Sequence, residues 1–226
     1  MKYDLIIFDA DGTLYDFAKT ELRAFNLTMQ TFGLEDNLEE LHQIYKKINQ
    51  QIWIDFERGK ISSSALRTER FERFFNQANL QLDAHKVSEK YLSHLSEGTF
   101  LLDGAHRLIS QLAGKARLAL ATNGIADVQI PRIGKSDLAD FFPELFISEE
   151  LGFPKPDIRF FEAMFARIPR FEKAIIVGDN LASDIQGGIN AQIDTCWYNP
   201  QKNLNELGIN PTYVIGELAE LLEIVK

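Results

Sequence analysis

Residues 5–14 read LIIFDADGTL, an apolar run that leads directly into two aspartates and a glycine. A short run that is apolar at nearly every position is typical of a parallel strand covered on both faces. Comparable runs recur at 116–120, 145–147, 174–177 and 195–198. Helix-like segments separate most of them, and Asp157 is placed as the N-cap of one of these helices. This alternation predicts an α/β protein with a doubly wound, Rossmann-like core on a parallel sheet.

Residues 16–97 interrupt this alternation, because no strand-like run occurs among them. Their apolar residues recur at helical spacing and predict a series of helices. Thr20 is placed to cap the first of these helices, and one of the serines at 62–63 the third. We therefore expect an all-helical domain at 16–97, inserted into a core that is formed by 1–15 and 98–226.

The composition restricts the classes of function. The chain has 226 residues and a formal net charge of −9, which argues against binding to nucleic acid polymers or anionic membranes, since both need a basic face. No apolar run approaches the roughly 20 residues of a membrane span, and the first strand follows Met1 too closely for a signal peptide. The single cysteine, Cys196, excludes a disulfide framework. We expect a cytoplasmic protein.

Polar residues follow four of the predicted strands at the point where each strand ends. In open α/β sheets, ligands bind at the carboxyl ends of the strands. The candidate residues at these positions are Asp9, Asp11, Thr122, Asn123, Gly124, Lys155, Asp179 and Asp184. Because parallel strands end at the same edge of the sheet, we expect these residues to form a single site.

Asp9 and Asp11 are suited to different roles in phosphoryl transfer. Asp9 can attack phosphorus and form an aspartyl-phosphate. Asp11 can protonate the leaving alkoxide and later deprotonate the attacking water. Two carboxylates this close need a shared proton or a metal ion, and Gly12 permits a positive φ or a close backbone approach beside them. Taken alone, the segment is equally compatible with a simple turn that ends a strand.

The second and third motifs offer groups that bind phosphate. Thr122, Asn123 and Gly124 present a hydroxyl and backbone amides, which suit phosphoryl oxygens. Lys155, stiffened by a proline on each side, could neutralise a phosphate oxygen and steady Asp9. Individually, the first motif is also a routine turn from strand to helix, and an isolated lysine is usually on the surface.

The fourth motif predicts a metal site. Asp179 ends a buried strand, where an unpaired charge is costly, and oxygen ligands around Mg²⁺ would offset that cost. Asp184 follows closely as a second acidic candidate. The alternative is that Asp179 caps the next helix, a role for which Asn180 and Ser183 are equally suited.

In combination, the four motifs resemble those of the haloacid dehalogenase superfamily of phosphohydrolases, and the likeness extends over essentially the whole chain. The resemblance implies that Asp9 is the nucleophile, with Asp11 as acid and base. It implies that the segment at 16–97 is a mobile cap that selects substrates. The further roles that it implies are phosphoryl binding by Thr122 and Lys155, and Mg²⁺ binding by Asp9, the carbonyl of Asp11, Asp179 and, directly or through a ligand, Asp184.

A closer likeness is to bacterial pyrimidine 5′-nucleotidases of this superfamily. It rests on the segments 8–11, 53–56, 59–62, 70–72, 148–150, 187–191 and 195–197. The likeness implies that the substrate is a small phosphorylated molecule, a nucleoside 5′-monophosphate. Trp53 lies off the apolar stripe of its helix and is therefore the candidate substrate contact from the cap, whereas the spacing of the other aromatic residues favours core packing.

Three alternatives to a nucleotidase remain open. A dehalogenase of the superfamily lacks a carboxylate at the second motif position, so Asp11 favours phosphate chemistry. A sugar-phosphate phosphatase or phosphomutase would need polar residues on a cap that is aromatic in this chain. A non-catalytic phosphate-binding or regulatory protein on the same fold would be expected to have lost Asp9, Asp11 or Asp179.

Overall fold

The computed structural model describes residues 1–226, apart from the side chain of Glu57. The chain forms two compact units. The first consists of Met1–Phe17, Thr99–Ala126 and Ile133–Lys226, and the second of Ala18–Gly98 with Asp127–Arg132. Among the described residues, none of the helices combines the length and the apolar character that a membrane span requires.

The first unit is built on a six-stranded sheet. Its strands are β1 Leu5–Phe8, β2 Arg117–Thr122, β3 Glu144–Ile147, β4 Ala174–Gly178, β5 Asp194–Tyr198 and β6 Tyr213–Ile215. Their order is β3-β2-β1-β4-β5-β6, and every neighbouring pair is parallel. The doubly wound parallel sheet is therefore confirmed. The sequence pattern predicted β1 to β5 and missed β6.

Helices lie between all consecutive strands of the sheet except β5 and β6, and the described residues of the second unit are helical without strands. They are α1 Phe17–Thr31, α2 Leu38–Glu57, α3 Ser63–Ala78, α4 Ala84–Leu95, α5 Ala105–Leu112, α6 Ala126–Gly134, α7 Ser148–Leu151, α8 Ile158–Phe165, α9 Gln186–Asn190 and α10 Leu221–Val225. A π-helical turn at Leu181–Ile185 immediately precedes α9.

The strand β1 lies at the centre of the sheet, and it is buried along its whole length. Its side chains point alternately to the two faces. Ile6 and Phe8 pack in one apolar core with residues of α5, whereas Leu5 and Ile7 pack in a second core with residues of α8. Both faces of the sheet are thus covered, which explains why β1 is apolar at every position.

The second unit has an aromatic core. Tyr45 lies at its centre, with ring centroids 5.1 Å from Phe25, 5.4 Å from Phe71 and 5.6 Å from Tyr91. These side chains are buried, as the helical spacing predicts for most aromatic residues of this segment. Trp53 differs from them, because its side chain is only half-buried.

Two predicted helix caps are confirmed and one is wrong. The Ser62 hydroxyl accepts a hydrogen bond from Ala65 N at 3.2 Å at the start of α3. At the start of α8, Asp157 Oδ1 accepts one from Arg159 N at 2.9 Å. Thr20 is not the N-cap of α1, because the helix begins at Phe17 and Thr20 lies within it. Its buried side chain packs against Gly98, where a Cβ atom would overlap it.

Candidate functional site

The site begins where β1 ends. Asp9 N donates to Val177 O at 2.9 Å, so the sheet ladder continues to this residue. The chain then folds back on itself, because Tyr15 N donates to Ala10 O and Gly12 N donates to Tyr15 O, both at 2.9 Å. Gly12 has a φ of +84°, which is a conformation that glycine adopts easily. This turn holds the buried Asp9 carboxylate at the carboxyl edge of the sheet.

Lys155 is buried and makes three hydrogen bonds through Nζ. Its acceptors are Asp9 Oδ1 at 2.7 Å, Asp184 Oδ1 at 2.6 Å and Ala121 O at 2.6 Å. Burial alone would lower the pKa of this ammonium, but the charges of Asp184 and Asp9 outweigh it and raise the pKa above its ordinary value. Lys155 therefore remains charged and bridges two carboxylates from different strand ends.

The motif after β2 positions the backbone of Lys155. Asn123 Nδ2 donates to Lys155 O at 2.9 Å, and Lys155 N donates to Asn123 Oδ1 at 2.8 Å. Gly124 N donates to the Thr122 hydroxyl at 3.0 Å. The sequence predicts phosphate binding by Asn123 and Gly124, but it does not predict these hydrogen bonds within the protein. A direct phosphate contact from this motif stays a prediction.

The motif after β4 resolves the question of which residue caps the following turn. Asn180 Oδ1 accepts hydrogen bonds from Ala182 N at 2.9 Å and Ser183 N at 3.2 Å, so Asn180 is the cap. Asp184 is buried, and in addition to its Lys155 contact its Oδ2 accepts from Asn180 N at 3.1 Å. Asp179 is thereby left without a capping role.

The Asp179 side chain is exposed at the carboxyl edge of the sheet, directly after β4. Its Oδ1 accepts a long hydrogen bond of 3.4 Å from the Thr13 hydroxyl, and its backbone oxygen accepts one of 2.9 Å from Trp197 Nε1. Desolvation by the surrounding groups, followed by the charge of Asp184, raises the pKa of Asp179 to about 7. Such a carboxylate gains from a nearby cation.

Asp9, Asp179 and Asp184 fit a divalent cation. Each offers one carboxylate oxygen, and these three oxygens lie within 4.8 Å of one another. Burial, followed by the charges of Asp184 and Asp179, raises the pKa of Asp9 well above its ordinary value, against the opposing effect of Lys155. Three carboxylates share one ammonium, that of Lys155, so the ammonium alone does not balance the negative charge of the cluster. Oxygen donors with excess negative charge are the ligand set that Mg²⁺ prefers.

The two remaining candidates occupy different parts of the chain. Asp11 is half-buried in the turn after β1 and forms an isolated bridge with Tyr15, close in sequence to Asp9. Trp53 belongs to the second unit, and its ring meets the edge of Phe56 at a centroid distance of 5.9 Å. The catalytic role of Asp11 and the substrate contact of Trp53 stay predictions.

The fold and this cluster define an open α/β protein with carboxylates and a buried lysine gathered at the carboxyl edge of its sheet. Residues 3–192 match the family model of the haloacid dehalogenase-like hydrolases. The chain belongs to this family and is therefore a hydrolase.

Three similar proteins extend the comparison over the full chain. The pyrimidine 5′-nucleotidase PynA of Streptococcus pneumoniae is 37% identical over 99% of this chain and 95% of its own length. The pyrimidine 5′-nucleotidase YjjG of Escherichia coli is 35% identical, with 100% of this chain and 99% of its own covered. The crystal structure of the Bacillus subtilis HAD-hydrolase YfnB bound to magnesium is 37% identical, covers 100% of both chains and has a TM-score of 0.93.

Proposed function

We propose that this protein is a Mg²⁺-dependent phosphatase whose substrates are nucleoside 5′-monophosphates with pyrimidine bases. The observation that carries the proposal is the buried Asp9 carboxylate, held by Lys155 Nζ at 2.7 Å beside the carboxylates of Asp179 and Asp184. The nucleotide class is supported by the similarity to PynA and YjjG, which are 37% and 35% identical over nearly the whole chain.

Asp9 is the nucleophile in this proposal. Its Oδ1 accepts from Lys155, so we assign the attack on phosphorus to Oδ2. Attack forms the bond between Asp9 and phosphorus and breaks the bond to the nucleoside oxygen, which receives a proton from Asp11. Asp11 then takes a proton from water as the water attacks the aspartyl-phosphate. Inorganic phosphate leaves and Asp9 is regenerated.

Lys155 acts on the nucleophile in this proposal and, as the resemblance implies, also binds the phosphoryl group. All three of its hydrogen bonds go to groups of the protein, so it fixes the Asp9 carboxylate and offsets its charge. Asp9, Asp179 and the carbonyl of Asp11 would hold Mg²⁺, and Asp184 would support the site through Lys155. Bound Mg²⁺ would neutralise charge on the transferring phosphoryl group.

The helical residues 16–97 are assigned the role of a substrate-selecting cap, with Trp53 as their candidate contact. The partner of the protein is then a small phosphorylated molecule.

Two measurements test the proposal. Asp9→Asn should reduce Mg²⁺-dependent hydrolysis of uridine 5′-monophosphate by at least about 10³-fold. Asp137→Asn, which alters an exposed carboxylate of the same unit, should leave the rate unchanged. A retained rate in Asp9→Asn would show that Asp9 is not the nucleophile.

The substrate class is tested separately with the wild-type protein on a panel of nucleoside monophosphates and sugar phosphates. Pyrimidine nucleotides should have the highest kcat/KM. A clear preference for sugar phosphates would favour a sugar-phosphate phosphatase and contradict the nucleotidase assignment.

A further inference from the structure

Trp197 ends one of the segments that resemble those of the nucleotidases, and the proposed mechanism does not use it. It lies in β5 and pairs in register with Gly178, the last residue of β4. The candidate metal ligand Asp179 is the next residue after Gly178. The largely buried side chain of Trp197 therefore lies beside the motif that follows β4.

The peptide group between Asp179 and Asn180 is held by a hydrogen bond at each end. Trp197 Nε1 donates to its oxygen, Asp179 O, at 2.9 Å. Its N–H, which belongs to Asn180, donates to Asp184 Oδ2 at 3.1 Å. Because the peptide group is planar, a rotation of it would break both bonds. The backbone at Asp179 is thereby fixed, and with it the Cα atom from which the carboxylate extends.

The same peptide group connects Trp197 to the buried ion pairs of the site. While Asp184 Oδ2 accepts from the peptide N–H, Asp184 Oδ1 accepts from Lys155 Nζ at 2.6 Å. Lys155 Nζ also donates to Asp9 Oδ1 at 2.7 Å. Hydrogen bonds in series strengthen one another in an interior of low dielectric constant. Trp197 thus lies at the outer end of a hydrogen-bonded series that reaches the proposed nucleophile.

The indole ring supports the turn that carries Asp184. Trp197 packs with Leu181 and Ile185 in one apolar cluster. These two residues are the first and the last of the π-helical turn, so the cluster spans the turn from end to end. Turns of this kind are rare, and they occur frequently at functional sites. The ring thus holds the segment on which Asp184 lies, while the N–H holds the peptide group before it.

We propose that Trp197 is a positioning residue for the metal site: its N–H orients the peptide group after Asp179, and its ring holds the turn that carries Asp184. This role rests on the proposed function in one respect, since it requires Mg²⁺ at the acidic cluster. A residue that only fills the core would act through its ring, whereas this role requires the N–H. Tryptophan combines a large apolar ring with an N–H donor, which phenylalanine lacks.

The first test removes the N–H and keeps an aromatic ring. In Trp197→Phe, the affinity for Mg²⁺, measured by calorimetric titration of the full chain, should fall about fivefold, the effect of losing one hydrogen bond. The free energy of unfolding in urea without Mg²⁺ is measured in parallel. If stability falls while the Mg²⁺ affinity stays at the wild-type level, Trp197 is only a core residue and the positioning role is wrong.

Thr195→Val is the matched control on the same strand. The buried Thr195 hydroxyl accepts a hydrogen bond from Thr212 N at 2.9 Å, so this variant also loses one hydrogen bond of β5. That bond joins β5 to the segment before β6 and not to Asp179. Stability in urea should therefore fall without a change in Mg²⁺ affinity. An equal loss of affinity in both variants would mean that general loosening of β5 weakens the site, and would overturn the role of the N–H.

The second test is spectroscopic and leaves position 197 unchanged. The chain has two tryptophans, so the nitrogen–proton correlation spectrum contains two indole peaks, and Trp53→Phe identifies that of Trp197. Mg²⁺ should shift the Trp197 peak, because a cation at the Asp179 carboxylate changes the electric field at the adjoining carbonyl, which accepts this N–H. The titration midpoint should equal the calorimetric Kd, and Asp179→Asn should abolish the shift. A Trp197 peak that does not move at saturating Mg²⁺ would contradict the coupling.

Failure of the positioning role and failure of the proposed function give different results. If the wild-type protein binds Mg²⁺ and hydrolyses uridine 5′-monophosphate, but Trp197→Phe binds Mg²⁺ equally well, the positioning role is wrong and the proposed function is unaffected. If the wild-type protein binds no Mg²⁺ in the calorimetric titration, the proposed metal site and the role of Trp197 are both wrong.

Discussion

A Cβ atom on Gly12 would lie 2.5 Å from Oδ2 of Asp179 and 2.8 Å from its Cγ. Real Cβ atoms do not approach other heavy atoms this closely, so the missing side chain of Gly12 leaves the space that the Asp179 carboxylate occupies. Gly12 also has a φ of +84°. The glycine after the second aspartate therefore has two functions: it turns the chain after β1, and it admits the candidate metal ligand from β4.

We predict that Gly12→Ala weakens Mg²⁺ binding. The new methyl group would displace the Asp179 carboxylate from its position beside Asp9, so the affinity for Mg²⁺ should fall by about tenfold or more. The positive φ adds a backbone strain of about 1 kcal/mol to the free energy of folding. Calorimetric titration with Mg²⁺ measures the first effect, and urea unfolding measures the second.

Gly114→Ala separates the two effects. Gly114 has a similar φ of +74°, but no atom of the described part of the chain lies within 4 Å of the position of its Cβ. This control should have the same loss of stability, with unchanged Mg²⁺ affinity. If the two variants bind Mg²⁺ equally weakly, backbone strain rather than displacement of Asp179 is responsible.

The second prediction concerns Gly178, where β4 ends. A Cβ on Gly178 would overlap the buried side chain of Asp184, which in turn holds Lys155 Nζ at 2.6 Å. Gly178→Ala should therefore push Asp184 away from Lys155 and disturb a buried ion pair. We expect a loss of about 2–4 kcal/mol in the free energy of unfolding, measured in urea.

Gly134→Ala is the control for Gly178→Ala. Gly134 lies at the end of α6, and the described residues place nothing within 4 Å of its Cβ position. Alanine there should be neutral or stabilise by up to about 1 kcal/mol. A comparable loss in both variants would mean that the contact with Asp184 does not matter.

The parts of the fold that the sequence predicts are those that depend on local pattern. The apolar runs locate β1 to β5, and Ser62 and Asp157 are recognisable caps because each bonds to backbone within a few residues. The strand β6 has only three residues, and Val214 in it is 55% exposed, so it lacks a buried pattern. The prediction that Thr20 caps α1 is wrong because the helix begins earlier, at Phe17.

The candidate site could likewise be predicted from the sequence only in part. Its residues could be selected from their positions at strand ends, but their hydrogen-bond partners could not. Asn123 and Lys155 are 32 positions apart, and the sequence carries no signal that their side-chain and backbone groups meet. Similarly, Asn180 and Asp179 both suited the cap, and only the backbone geometry distinguishes them.

The third prediction is that Asn123 positions Lys155. Its amide bonds to both N and O of the Lys155 backbone, at 2.8 Å and 2.9 Å. Asn123→Ala removes both bonds and should misplace Nζ relative to Asp9. We expect kcat to fall by about 10- to 100-fold with a much smaller change in KM, because ground-state binding does not depend on the placement of the nucleophile.

Asn190→Ala is the matched control for Asn123→Ala. Asn190 Nδ2 donates to the backbone oxygen of Pro156, the residue after Lys155, at 2.9 Å, but Asn190 is exposed. Its loss should leave kcat nearly unchanged. If both variants lose kcat equally, general loosening of this segment explains the effect and Asn123 has no special role.

A fourth relationship lies at the opposite, amino edge of the sheet. Asp4 Oδ2 accepts from Glu172 N at 2.7 Å, and Asp4 Oδ1 accepts from Lys173 N at 2.8 Å. These two backbone bonds, that of Glu172 first, lower the pKa of Asp4 below its ordinary value. Asp4 thereby connects the segment before β1 to the segment before β4.

We predict that Asp4→Asn lowers stability at neutral pH but not in acid. The folded-state pKa of Asp4 is below that of the unfolded chain, about 3.9. The contribution of Asp4 to stability is therefore complete above its pKa in the unfolded chain. It is lost as the pH falls through its pKa in the folded protein. Because Asp4 is exposed, we expect Asp4→Asn to lower the free energy of unfolding by only about 1 kcal/mol at pH 7.

Urea unfolding of wild type and variant from about pH 7 down to about pH 3 measures the difference in stability. Asp36→Asn, which alters another exposed carboxylate, is the control. A difference that is independent of pH would show that the charge of Asp4 does not carry the stabilisation.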